Sequence, residues 1–152
     1  MKILVISDTH GQRSAAEDAF EKERPDAVFF LGDGTGDIEH LTRVFPYANV
    51  YAVKGNCDFF AAYPPYICET LGGVRIYACH GHSHGVKNGI SALVSSAKSM
   101  GASLALYGHT HRAALKNEDG VVLLNPGSAG YYGSYAVVEA KDGAFTCELK
   151  TL

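Results

Sequence analysis

Three short apolar runs, at residues 3–6, 27–31 and 50–53, alternate with two helical patterns at the start of this chain, and that alternation limits what it can fold into. Each run is continuous and rich in β-branched or aromatic residues, as expected of a strand buried on both faces. Between the first two, Ala15, Ala16, Ala19 and Phe20 recur at helical spacing, with Glu17, Asp18, Glu21 and Lys22 on the other face. Pro25 stops that helix. Ile38, Leu41, Val44 and Phe45 form a second helical pattern closed by Pro46. Strand, helix, strand, helix, strand predicts a parallel sheet with right-handed crossovers.

The pattern then changes. Runs at 66–71 and 74–79 flank Gly72-Gly73 and read as a β-hairpin. A third helix is expected from about Asn88, its N-cap, to Met100, with Ile90, Leu93, Val94 and Ala97 on one face. A further apolar run at 104–107 follows. From Arg112 onward the chain reads as strands and turns. Segments 113–116 and 121–124 flank Asn117-Glu118-Asp119-Gly120, Asn125-Pro126-Gly127-Ser128 makes a tight turn, and 135–139 and 144–149 flank Lys141-Asp142-Gly143. With no linker, repeat or low-complexity segment, residues 1–152 read as one domain. An α/β half followed by a hairpin-rich half predicts a four-layer α/β/β/α sandwich, two mixed β-sheets flanked by helices.

Seven histidines are present, and six of them, His10, His80, His82, His84, His109 and His111, follow apolar runs. Only His40 lies inside a helical pattern, where it reads as a surface residue. Charge does not account for that placement. The net charge is −3 and no Lys/Arg run exists, so no stable nucleic-acid complex is expected. Four cysteines without a C-x-x-C pair argue against a zinc ribbon and for reduced thiols. The N-terminal apolar run is too short for a signal peptide or a membrane span, so the expectation is a cytoplasmic protein without a membrane partner.

Five loops share a chemistry: Asp8-Thr9-His10, Gly32-Asp33, Gly55-Asn56, His80-Gly81-His82 and Gly108-His109-Thr110-His111. Each follows an apolar strand, and in open α/β sheets ligands bind beyond the carboxyl ends of strands. If the five strands are neighbours, these residues converge at one edge. Two carboxylates, an amide oxygen and at least four imidazoles suit Mn²⁺, Zn²⁺, Fe or Ni²⁺. They disfavour an all-oxygen Ca²⁺ cage and a thiolate site. Two divalent ions against two aspartates and a bridging hydroxide leave roughly +1 on formal counting, which suits a phosphate oxygen.

In this order, Asp-x-His, Gly-Asp, Gly-Asn-x-Asp, His-Gly and Gly-His-x-His resemble the motifs of the calcineurin-like metallophosphoesterase superfamily. The likeness is greatest to its small single-domain phosphodiesterase branch, whose Asn-Pro-Gly-Ser turn also stands at 125–128. The resemblance implies that Asp8, His10 and His111 hold one metal ion and that Asn56, His80 and His109 hold the other. Asp33 would bridge the two, and a metal-bridging hydroxide would attack phosphorus in line. Mn²⁺ is the metal expected first, and the substrate would be a small phosphodiester or nucleotide, cyclic nucleotides being candidates.

One position departs from the wider superfamily. Many of its phosphatases carry histidine after Gly-Asn, where it protonates the leaving oxygen; here Cys57 stands there. A thiol with a pKa of ~8.5 is a poor substitute, so diesters with acidic leaving groups should outpace alkyl monoesters. His82 is the candidate replacement acid or substrate donor, against a reading as a supporting or solvent histidine. His84 reads as uninvolved. Tyr131 and Tyr132 could line the site, pack over the sheet end or serve a homodimer, and Asp58 could orient Asn56 or a loop amide. The alternative function is a non-catalytic metal-binding scaffold or protein-interaction module: a retromer subunit resembles this fold without its metal-site chemistry. A DNA nuclease of the same superfamily would need spare length or a basic patch, and neither is visible.

Overall fold

The computed structural model describes residues 1–152. The chain runs β1 (Lys2–Ile6), α1 (Arg13–Glu23), β2 (Ala27–Phe30), α2 (Thr35–Val44), β3 (Val50–Ala52), β4 (Tyr66–Leu71) and β5 (Val74–Cys79). A 3-10 turn at His82–His84 leads to α3 (Ser91–Ser99), β6 (Leu104–Leu106), β7 (Ala114–Glu118) and β8 (Val121–Asn125). The short α4 (Ala129–Tyr132), β9 (Ser134–Lys141) and β10 (Ala144–Thr151) complete it.

Two five-stranded sheets result, in the orders β10-β9-β1-β2-β3 and β4-β5-β6-β8-β7. In the first, β1, β2 and β3 are parallel while β9 and β10 are antiparallel. In the second, β5, β6 and β8 are parallel while β4 and β7 are antiparallel edges. Side chains of β1 alternate between two cores, as the period of a strand requires. Ile3 and Val5 enter the core between the sheets, with Ile76, Ala78, Leu104 and Leu106 from the second sheet. Leu4 and Ile6 enter the core under α1 and α2, with Ala16, Phe20, Ile38 and Leu41. A third core joins Leu93, Val94 and Ala97 of α3 to Tyr77, Cys79 and Ala105. The order helices, sheet, sheet, helix is the expected four-layer sandwich.

Three hairpins close through two-residue turns with both φ positive: Gly72-Gly73 (56° and 78°), Asp119-Gly120 (51° and 81°) and Asp142-Gly143 (52° and 82°). Such turns match the twist of paired strands. Strand pairing therefore absorbs Asn117 and Glu118, placed by the sequence in a four-residue turn. The third helix also differs from expectation, starting at Ser91 with Ile90 at its N-cap position. The amide of Asn88 instead donates to Gly85 O, and Gly89 at φ 152° cannot continue a helix from Asn88. Three strand runs stop one residue early, before Leu31, Val53 and Tyr107. All three residues still donate to neighbouring strands, at Ile6 O, Phe30 O and Leu124 O. Neither α4 nor the 3-10 turn was expected. The five strands that carry the histidine and aspartate loops are not neighbours in one sheet. Three belong to the first sheet and two to the second, and their carboxyl ends meet across the sandwich.

Candidate metal centre

The backbone at this meeting point is bent into conformations that side chains avoid. Nine non-glycine residues have positive φ, and five of them are Asp8 (54°), His10 (46°), Asp33 (59°), His109 (68°) and His111 (59°). A left-handed non-glycine residue costs roughly 1–3 kcal/mol, and such strain gathers where surrounding structure enforces it for use. Here each strand ends, the chain turns sharply, and the side chain is directed back to the sheet edge. Two glycines allow the loops to close in. A Cβ on Gly55 would collide with Asp33 Oδ1, and one on Gly108 with Ser7 Oγ.

Two groups of ligand atoms form. In the first, Asp8 Oδ1 lies 3.1 Å from His111 Nε2 and 3.7 Å from His10 Nε2. The two imidazole nitrogens face each other at 3.3 Å. Asp8 is fully buried. Its Oδ2 accepts from Ser7 Oγ at 2.5 Å and from the His109 amide at 3.1 Å, whereas Oδ1 is buried without any hydrogen bond. A buried carboxylate oxygen left without a partner is costly and calls for one. In the second group, His80 Nε2 lies 3.3 Å from Asp33 Oδ2 and 3.0 Å from Asn56 Oδ1, with His109 completing the set. His80 Nδ1 sits 2.7 Å from Leu31 O, and because a carbonyl only accepts, Nδ1 carries the proton. The neutral ring then offers a lone pair at Nε2 towards two oxygens that also offer lone pairs. A cation between them, proton or metal, resolves that opposition.

The groups adjoin. Asp33 Oδ2 is 3.3 Å from His80 Nε2 and 4.0 Å from His10 Nε2. Asp8, His10 and His111 have ligand atoms within 4.8 Å of one another, as do Asp33, His80 and His109, and also His10, Asp33 and Cys57. Burial would raise the Asp33 carboxyl, but hydrogen bonding to His80 and to the Cys57 amide outweighs it and holds the group well below the usual carboxylate range. Burial opposes protonation of His80, yet Asp33 and Asp8 raise it above an ordinary imidazole. Burial, then the positive side of His80, depresses both His82 and His109, and Lys87 adds to the effect on His109. Burial and the charge of Asp33 push the Cys57 thiol up, so it stays protonated.

The loops are pinned by residues that offer no ligand atom. Asp58 accepts from the amides of Asp33, Gly34, Thr35 and Gly55 at 2.7–3.0 Å, tying the loop after β2 to the loop after β3. Its role is thus towards loop amides rather than towards Asn56. Asp37 holds the first loop through Thr9 Oγ1 and the Gly11 amide. Asn125 donates to Gly108 O and to Thr110 Oγ1. Ser128 Oγ donates to Asp8 O and accepts from the Tyr131 amide, capping α4. Asp37, Asn125 and Ser128 were not singled out from the sequence. Asn-Pro-Gly-Ser was visible as a turn, but which loops it braces depends on the second sheet.

Of the other candidates, Tyr131 lies against the pair His10 and His111, with ring centroids 5.1 and 5.2 Å away. Tyr132 is exposed and meets the Tyr131 ring edge-on at 6.4 Å. His82 is exposed at the rim, its ring 5.4 Å from His80 and 6.1 Å from His109. His84 is turned away, held between Tyr77 Oη at 3.0 Å and Ser96 Oγ at 3.2 Å. His40 pairs with Glu17 at 3.0 Å on the helical layer.

The chain is similar to known proteins over nearly all its length. A family model described as the calcineurin-like phosphoesterase superfamily domain matches residues 1–143. The probable metallophosphoesterase YsnB of Bacillus subtilis is 31% identical over 152 residues, covering 96% of this chain and 88% of that protein. Phosphodiesterase MJ0936 of Methanocaldococcus jannaschii is 27% identical over 155 residues, covering 87% and 86%. The crystal structure of a Streptococcus pneumoniae protein, described as a predicted phosphoesterase, superposes with a TM-score of 0.83 at 31% identity, covering 99% of this chain and 88% of that one.

Proposed function

The chain belongs to the calcineurin-like phosphoesterase superfamily, and from that premise we propose that residues 1–152 form one domain that hydrolyses small phosphodiesters at a dinuclear metal centre. The observation that carries this reading is Asp8 Oδ1, buried without a hydrogen bond and facing two imidazole nitrogens. A second lone-pair cluster on Asp33, His80 and Asn56 adjoins it.

In this reading Asp8, His10 and His111 hold one ion, Asn56, His80 and His109 the other, and Asp33 reaches both. The mixed oxygen and nitrogen donors favour Mn²⁺, with Ni²⁺, Zn²⁺ and Fe as alternatives. When bound, two such ions supply Lewis-acid stabilisation of phosphoryl charge and lower the pKa of water. The left-handed turns hold the donors in place before substrate arrives, so little reorganisation remains. Asn56 keeps its amide oxygen on the cluster through the Gly55 turn. His82, neutral and exposed at the rim, offers an N–H to a phosphoryl or leaving oxygen. Cys57, a protonated thiol, is a weak acid there, which favours esters whose leaving groups need no proton. No helix is long and apolar enough to cross a membrane. The four cysteines are free, which suits a reducing compartment such as the cytoplasm.

Hydrolysis of bis-p-nitrophenyl phosphate by metal-loaded protein tests the proposal, together with metal analysis. Mn²⁺-dependent turnover is expected, with about two ions per chain and loss of roughly 10²-fold or more in Asp33→Asn. No metal-dependent turnover with Mn²⁺, Ni²⁺, Zn²⁺ or Fe would leave the scaffold. Turnover of an alkyl monoester comparable to the diester would refute the diester preference.

A further inference from the structure

Beside the metal centre runs a groove of about 600 Å³ whose lining includes Thr110, the residue between His109 and His111. Val86 and Tyr107, both buried, form its floor. Lys87, Arg112 and Lys116 line it, and no carboxylate does. Lys116 shares a face of β7 with Ala114, and both line the groove; Arg112 joins them from the loop before the strand. None of the three cations lies within 4.0 Å of a carboxylate. The acidic end of the β7 hairpin is engaged elsewhere, Asp119 pairing with Lys98 at 2.5 Å. In a chain of net charge −3, three unpaired cations in one concavity reverse the local sign of the field.

We propose that this groove is an anion subsite, taking a second phosphate group of a nucleotide-type phosphodiester while the scissile phosphate sits at the metal centre. The assignment rests on the phosphodiesterase reading for the scissile end only. The apolar floor fits the sugar or base that joins the two phosphates, and the cationic walls fit the phosphate itself.

The test compares thymidine 5′-(p-nitrophenyl phosphate) with the same ester carrying a 3′-phosphate, so that scissile bond and leaving group are unchanged. The 3′-phosphate is expected to lower KM by about ten-fold, an advantage that shrinks as ionic strength rises. In the triple variant Lys87→Gln, Arg112→Gln, Lys116→Gln the ratio of kcat/KM between the two esters should fall from about ten to about one, whatever its effect on the plain ester. Lys98→Gln, outside the groove, should keep the ratio. Calorimetry on Mn²⁺-loaded protein reads the subsite without turnover. Thymidine 3′,5′-bisphosphate should bind about ten-fold more tightly than thymidine 5′-phosphate in the parent and no more tightly in the triple variant. Equal affinities in the parent, or a preference that survives in the triple variant, overturn the subsite. So does inorganic phosphate that fills the groove as tightly as the bisphosphate, since the site then takes free anion. Failure of the parent to cleave the plain ester strikes the phosphodiesterase reading instead, and the calorimetric comparison still decides the groove.

Discussion

At the scale of residues, the centre combines strain with support. Five left-handed side-chain-bearing residues would relax if their loops were free. Asp58 prevents this around Asp33 by accepting four amides with one carboxylate. Both oxygens of Asp58 accept two amides each, so Asp58→Asn turns an NH2 donor towards two of them and breaks half the tether; Mn²⁺ affinity should fall about 10–100-fold, measured by calorimetry on folded protein. Unchanged affinity would show that the loop holds itself. Gly108→Ala places a methyl group against Ser7 Oγ and Asp8 Oδ2. It should cost about 1–3 kcal/mol in denaturant unfolding and weaken metal binding together. Residue types were legible in the sequence: aspartate, asparagine and histidine behind glycine at five strand ends. Their left-handed φ was not, because nothing local to Asp8 or His111 demands it. It comes from packing against Ser128, Asn125 and the opposite loops.

At the scale of elements, periodicity located every strand and the three long helices, and it failed where a turn competed with a helix. Asn88 is a good N-cap by composition, but the turn from Gly81 to Gly89 uses its backbone first. A similar competition hides Glu23. By pattern it is the polar end of α1, yet it is buried and binds three strands. Tyr135 Oη of β9 donates to it at 2.9 Å, Lys150 Nζ of β10 at 3.1 Å and Lys2 Nζ of β1 at 3.3 Å. Burial would raise the Glu23 carboxyl, but hydrogen bonds from Lys150, Tyr135 and Lys2 bring it below the ordinary value. A depressed folded value contributes stability above the unfolded value of about 4.3, and the contribution disappears as pH falls through the lower folded value. Glu23→Gln should therefore destabilise by about 1–2 kcal/mol at pH 7. The gap between parent and variant should close as unfolding is repeated from pH 5 down to about pH 3. A gap independent of pH would mean that packing, not charge, sets the role of Glu23.

At the scale of the whole molecule, the two halves read from the sequence do not map one to one on the two sheets, because β9 and β10 return from the hairpin-rich half to pair beside β1, and each ligand group draws on both sheets. Asp8 and His10 follow β1 while His111 follows β6; Asp33 follows β2 while His80 and His109 follow β5 and β6. That convergence was legible only as a condition, because sequence gives strand ends but not which sheet each joins. An ion in either group ties one sheet to the other, so metal binding and global stability must be linked. Saturation of one site at about 100 times its Kd adds ~2.7 kcal/mol. At this chain length that corresponds to a rise in Tm of about 5–11 °C. Chelation should reverse it. Asp8→Asn separates an ion clamp from general salt stabilisation. Without metal, the amide replaces a buried carboxylate oxygen that has no hydrogen bond, and can donate to His111 Nε2 instead. The metal-free variant should therefore melt at or above the metal-free parent, yet gain little on adding Mn²⁺. If Asp8→Asn melts lower without metal and keeps the full Mn²⁺ shift, the Asp8 oxygen is satisfied by the protein alone, and the sheets are not joined through it.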